Sequence, residues 1–161
     1  GGASDLAKVR IEQLRLGQIT LPEFHPAGPG IDSIYAFLIQ DPTNCILVDT
    51  GIGTGSDVID RIYRPERLDL AVVLKEAGVS IGDVTAIVNS HLHFDHCGNN
   101  SLFPGVPIFV QEAELEAARK AHYTVPEWVD FAGVDFRPLR GGHALSANLE
   151  LIPTPCHTPG H

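Results

Sequence analysis

The 161-residue sequence contains no methionine, a single tryptophan and three cysteines. An odd number of cysteines at the wide spacing of Cys45, Cys97 and Cys156 does not describe a disulfide framework, so a reducing compartment, the cytoplasm, is the default expectation. Lysine and arginine number 11 against 20 acidic residues, a net charge of −9, and form no cluster that could track a phosphate backbone. That balance argues against nucleic acid as a substrate. No apolar run approaches the ~18 residues of a membrane span. The opening Gly1-Gly2-Ala3-Ser4 has neither the basic start nor the apolar centre of a secretory leader, and reads as an expression scar or a processed start. Repeats and low-complexity tracts are absent as well. What remains, 43 % hydrophobic and 19 % charged, suits one globular core, expected as a single domain over residues 5–161.

Against this plain background one segment stands out. His91-Leu92-His93-Phe94-Asp95-His96 places four metal-binding side chains in six residues, directly after the apolar run Val84 to Val88. Imidazole nitrogen and carboxylate oxygen suit zinc and its first-row neighbours, and a site left partly open to water makes a nucleophile at neutral pH. In an extended loop, residues two apart share a side, so His91, His93 and Asp95 are expected to converge while His96 turns to a second centre. A further piece lies downstream, where Thr154-Pro155-Cys156-His157-Thr158-Pro159-Gly160-His161 follows the apolar stretch Leu149 to Ile152. His157 thereby also falls just past an expected strand end, and ligands at several strand ends gather on one rim of a sheet.

With these strings, and with Ile46-Leu47-Val48-Asp49-Thr50-Gly51 before them, the sequence resembles the metallo-β-lactamase superfamily, most closely its N-acyl-homoserine lactonase, quorum-quenching branch. The similarity runs from about Ser33 to His161. It implies an α/β fold, the αββα sandwich, of which these residues supply roughly the first half. It also implies two divalent metal ions, zinc before iron or manganese, with hydroxide held between them to attack a carbonyl. By position, His91, His93 and His157 would bind the first metal and Asp95 with His96 the second, Asp95 also serving as the catalytic proton shuttle. The superfamily pattern adds a bridging Asp and a last His that would lie beyond residue 161. The second site is therefore expected to be incomplete here, and one sheet face is expected to await the other half, a second chain or another copy of this one.

The expected reaction is opening of a lactone or other ester, a small-molecule substrate, without nucleic acid or membrane as partner. The alternatives are a glyoxalase II-like thioesterase, a β-lactam hydrolase, or an inactive metal-binding half-domain. A di-iron redox protein of this fold would carry Glu where His93 stands.

The remaining residues read more quietly. Asp49 either orients a ligating histidine through its other ring nitrogen or stabilises a turn. Cys97 and Cys156, each next to an expected ligand, are metal ligands, redox liabilities or simple fillers, and Cys45 is a buried apolar side chain. His25, His122, His143 and His161 are expected in loops or around the ligands. Glycines 51, 53 and 55 do not make a dinucleotide loop, because Ser56 stands where the last glycine is needed.

Strands are expected near Val9 to Leu16, with an irregularity, at Ile34 to Ile39, Cys45 to Val48, Val84 to Val88, Pro107 to Val110 and Leu149 to Ile152. A hairpin turn at Gln40 to Asn44 separates two of them. Helices are expected from Leu70 to Gly78 and from Glu112 to Ala121, the latter with early acids and the late pair Arg119-Lys120 matching its dipole. The aromatic segment Tyr123 to Phe136 shows no clear period, and either lines an acyl pocket or packs onto the sheet.

Overall fold

The computed structural model describes residues 9–147, 149–155 and 157–161. Its frame is a seven-stranded mixed sheet in the order β4-β1-β2-β3-β5-β6-β7. The first strands are antiparallel: β1 (Arg10–Leu21), β2 (Gly30–Gln40) and β3 (Cys45–Val48). The expected irregularity in β1 is a bulge between Arg15 and Gly17. Gly17 has φ 136°, and a Cβ there would sit 2.0 Å from the carbonyl oxygen of Glu66. Only glycine lets the short β4 (Glu66–Arg67) close on β1 at this point. The β2–β3 turn is held by Asp41, whose Oδ1 accepts the backbone N–H groups of Thr43 at 2.9 Å and Asn44 at 2.7 Å.

From β3 onward the sheet is parallel, through β5 (Ala86–Val88), β6 (Pro107–Gln111) and β7 (Asp135–Leu139). Parallel neighbours require crossovers. Helices α1 (Asp57–Tyr63) and α2 (Leu70–Glu76) lie between β3 and β5, α3 (Phe94–Cys97) between β5 and β6, and α4 (Glu112–Ala118) with α5 (Pro126–Val129) between β6 and β7. A small antiparallel hairpin of β8 (His143–Ser146) and β9 (Leu149–Leu151) follows. No helix of the described residues is long and apolar enough to cross a membrane.

Leu14, Leu16, Ala36, Leu38, Leu47, Ile87 and Ile108 pack against Ile59, Leu70, Leu74 and Trp128 in one core beneath the helices. Each fully buried aliphatic side chain of that kind contributes roughly 1.5–3 kcal/mol. The period of two sends Tyr35 and Phe37 to the opposite face, where they are 39 % and 41 % exposed beside Ile11 at 68 %. That face presents apolar side chains to solvent, as the first half of a sandwich would.

Several boundaries differ from the sequence reading. Strand β1 runs five residues past Leu16, because the bulge keeps Ile19 and Leu21 facing inward. Ile81–Asp83 forms a 3₁₀ turn capped by Ser80 and ending at Val84, so β5 begins only at Ala86. Helix α4 ends at Ala118, with Arg119 as its cap and Lys120 beyond it, which removes the expected late basic turn. Strand β9 stops at Leu151, and Ile152 is 70 % exposed. The aromatic segment divides. Trp128, Phe131 and Phe136 pack into the core, while Tyr123 both packs on a smaller buried cluster around Leu92 and Leu115 and lines a cavity.

Candidate metal centre

The loops after β3 and β5 leave the same rim of the sheet. Asp49 donates its backbone N–H to the Val88 carbonyl at 2.8 Å, and Asn89 donates to Phe109 at 3.0 Å. A buried polar lattice then ties the two loops together. Thr50 Oγ1 donates to Asn100 Oδ1 at 2.8 Å, Asn100 Nδ2 donates to Asn89 Oδ1 at 2.7 Å, and Asn99 Nδ2 donates to the carbonyls of Thr50 and Ile52. Gly98 approaches so closely that a Cβ on it would lie 1.9 Å from the Gly53 nitrogen. None of these asparagines carries a sequence signal, since they match no spacing rule.

On this frame His91, His93 and His157 come together, with one donor atom from each lying within 4.8 Å of the others. His91 is 3 % exposed, and its Nε2 is buried without a hydrogen-bond partner. The tautomer follows from its other nitrogen. Ser90 Oγ donates to Asp49 Oδ2 at 2.6 Å, so toward His91 Nδ1, 3.0 Å away, the hydroxyl can only accept. The proton of His91 therefore sits on Nδ1, and Nε2 presents a bare lone pair to the cluster. A buried lone pair with no donor is costly, and a metal ion held between it and the nitrogens of half-buried His93 and exposed His157 removes that cost. The residues present fit a divalent metal. Burial, then the neighbouring His96 and His93, push the His91 imidazole down to about 2, and burial with His157 lowers His93. Both rings are neutral, as ligation requires.

Asp95 and His96 are not part of the three-histidine group, although the His96 ring lies beside that of His91, with centroids 4.0 Å apart. Because Phe94–Cys97 is helical, with His93 as its N-cap, the period-two alternation breaks at Phe94. Asp95 does not join His91 and His93 as the extended-loop argument expects; its Oδ2 lies 3.5 Å from His96 Nε2. His96 Nδ1 faces Asp49 Oδ2 at 2.9 Å. Burial works against a charged His96, but the hydrogen bonds to Asp49 and Asp95 outweigh it and raise the ring to about 10. Burial likewise opposes ionisation of Asp95, yet the His96 contact leaves its carboxyl below the usual range. Asp49, 6 % exposed and at φ 66°, also accepts the Ser90 backbone N–H at 2.8 Å. It thus serves both histidine groups at once.

Around the cluster opens a cavity of about 910 Å³. Its walls include Ile19, Leu21, Phe24, Val58, Ile62, Tyr63, Phe94 and Val125, with Tyr63 and Phe94 in ring contact at 4.5 Å. Among the described residues that line it there is no lysine or arginine. His25 and His122 are on its rim, His143 stacks on Phe109 at 5.5 Å, and the His161 ring lies 5.0 Å from that of His91. Cys97 is fully buried, with its thiol pushed up to about 12 by burial and donating to the Leu92 carbonyl at 3.6 Å, which describes a filler rather than a ligand. Cys45 is buried too, and Cys156 lies outside the described residues.

The family model of the metallo-beta-lactamase superfamily matches residues 29–161. The chain belongs to that superfamily. An N-acyl homoserine lactonase of Bacillus sp. is 30 % identical over 142 residues, covering 80 % of this chain and 56 % of its own. A probable metallo-hydrolase of Mycobacterium tuberculosis is 27 % identical over 156 residues, covering 79 % of this chain and 50 % of its own. The chain thus spans about half the length of the curated relatives it matches. Among solved structures, an N-acyl homoserine lactone hydrolase with the product N-hexanoyl-L-homoserine bound at its catalytic metal centre superposes with a TM-score of 0.78 at 26 % identity, over 94 % of this chain and 67 % of that one. A quorum-quenching N-acyl homoserine lactone lactonase gives 0.79 at 28 % identity, over 94 % and 65 %. The metallo-β-lactamase fold expected from the His-x-His-x-Asp-His string is the fold found, and the His91, His93 and His157 cluster implies use of a divalent metal.

Proposed function

We propose that this chain carries the metal site of a hydrolase that opens N-acyl-homoserine lactones or closely related esters. In this reading His91, His93 and His157 hold one divalent ion, and Asp95 and His96 contribute to a second, with zinc the best match to the donor set. Bound there, such ions acidify water and polarise a carbonyl oxygen. The observation that carries the reading is the buried, unpartnered Nε2 of His91, fixed as a bare lone pair on the floor of an apolar-walled cavity.

The protein's own groups then have distinct tasks. Asp49 and Ser90 hold His91 in its ligating tautomer, and Asp49 orients His96. Asp95, kept ionised by His96, would accept a proton and return it to the departing alkoxide. Ile19, Leu21, Val58 and Ile62 offer an acyl chain an apolar wall.

The test is turnover by the zinc-loaded protein of N-acyl-homoserine lactones of graded chain length, with an acyl-glutathione and a β-lactam alongside. Lactone opening that strengthens with acyl length supports the proposal. Faster turnover of either comparison substrate would replace it.

A further inference from the structure

Helix α4 reads as plain scaffold in the sequence, yet its third residue, Glu114, is fully buried. Its carboxyl group accepts three hydrogen bonds. Oε1 takes the backbone N–H of Leu92 at 2.8 Å and a short bond from the Tyr123 hydroxyl, and Oε2 takes the backbone N–H of Gly160 at 3.2 Å. The positions of these donors are what give the contact meaning. Leu92 separates His91 from His93, Gly160 lies three residues after His157, and the Tyr123 ring packs on that of His93 with centroids 4.8 Å apart.

A second observation is independent of the hydrogen bonds. A Cβ on Gly160 would come within 2.4 Å of both the backbone nitrogen and the Cβ of Glu114, so the turn after His157 is seated directly on the start of α4. Glycine is required for that approach.

We propose that Glu114 is a positioning residue for the three-histidine centre, a single carboxyl group that clamps both ligand-bearing loops and, through Tyr123, braces the ring of His93. The clamp rests on the metal-site reading above. It differs from the roles of Asp49 and Ser90, which orient ring nitrogens. Glu114 instead sets the distance between two loops that are far apart in the sequence, the one carrying His91 and His93 and the one carrying His157.

The experiment compares the wild-type protein with Glu114→Gln and Tyr123→Phe. Gln keeps the size of the side chain but turns an N–H₂ toward either Leu92 or Gly160, each of which is itself a donor. Zinc affinity is read by competition with a chromophoric chelator, and the Co(II)-substituted centre by its visible absorption. Glu114→Gln should weaken the tighter site about tenfold or more and shift the cobalt bands, the usual scale for loss of a group supporting a ligand. Tyr123→Phe, losing one of the bonds to the carboxyl group, should weaken it roughly threefold. Affinities within about twofold of wild type and unchanged cobalt bands would overturn the clamp. Should Glu114→Gln fail to fold, Tyr123→Phe decides alone by the same two readouts. Both are taken without substrate. Equal affinities therefore overturn the clamp even in a protein that opens lactones, and a weakened Glu114→Gln site supports it even in one that does not.

Discussion

Asp49 Oδ2 lies 2.9 Å from Nδ1 of His96, across the gap between the end of β3 and helix α3, and the same oxygen accepts the hydroxyl proton of Ser90 at 2.6 Å. One carboxyl oxygen therefore governs the orientation of His96 directly and the tautomer of His91 through Ser90. On the proposed two-metal reading, replacing Asp49 with Asn should cost the Asp95–His96 site about tenfold to a hundredfold in metal affinity. The three-histidine site should lose less, since its other two rings do not depend on Asp49. Isothermal titration with zinc resolves the two steps, and equal losses at both would refute the ordering.

Proton release separates the two proposed sites in another way. His91 and His93 are lowered and neutral, whereas His96 is raised to about 10 and carries a proton at about pH 8. Metal ligation requires the deprotonated ring. The step that fills the Asp95–His96 site should release about one proton that the three-histidine step does not, as followed with an indicator dye in weakly buffered solution at about pH 8. Equal release in both steps would contradict the assignment of His96.

How much of this is legible in the sequence depends on whether the signal is local. The histidines at 91, 93 and 157, the hairpin turn at Asp41 and the stop at Gly78 belong to short-range patterns; the structure brings the three histidines together and has the turn and the stop where the residues indicate. The extended-loop rule misplaces Asp95 because a four-residue helix after His93 is too short to show a period. Helix α1 is announced only by Ser56, whose side chain accepts the Ile59 N–H, and β4 is two residues long. Glu114 matches a generic rule for acidic residues in a first helical turn, which hides its inward orientation. Burial decides its role, and burial depends on Gly160 and Tyr123, residues distant enough that no short window contains all three.

The metal-free protein should have a stability maximum near pH 6.5. His96 is raised from 6.5 to about 10, so its stabilising contribution is complete below pH 6.5 and is lost as pH climbs through about 10. His91 is lowered from 6.5 to about 2, so its contribution is present above pH 6.5 and is lost as pH falls from there toward 2. The two limits meet in the middle. Melting temperatures recorded from about pH 4 to about pH 10 in the presence of a chelator test this, and a maximum displaced to about pH 9 would show that His96 is not held charged.

Gly98 offers the sharpest test of how the two rim loops are joined. Its N–H donates to the Gly51 carbonyl at 2.8 Å, and a side chain there would meet the Gly53 nitrogen at 1.9 Å and the Ile52 carbonyl carbon at 2.6 Å. Both obstacles are backbone, so neither can move aside as a flexible side chain would. Gly98→Ala must push the segment that carries Asp49 away from the segment that carries His96, at a cost of roughly 1–3 kcal/mol for overpacking a close contact. The displacement falls on the Asp49–His96 pair, whose 2.9 Å contact has little slack. Urea denaturation should show the lost stability, and zinc titration should show the Asp95–His96 step weakened more than the three-histidine step. A variant as stable as wild type, with both metal steps intact, would mean that these loops separate freely and that the close approach at Gly98 does not hold the site together.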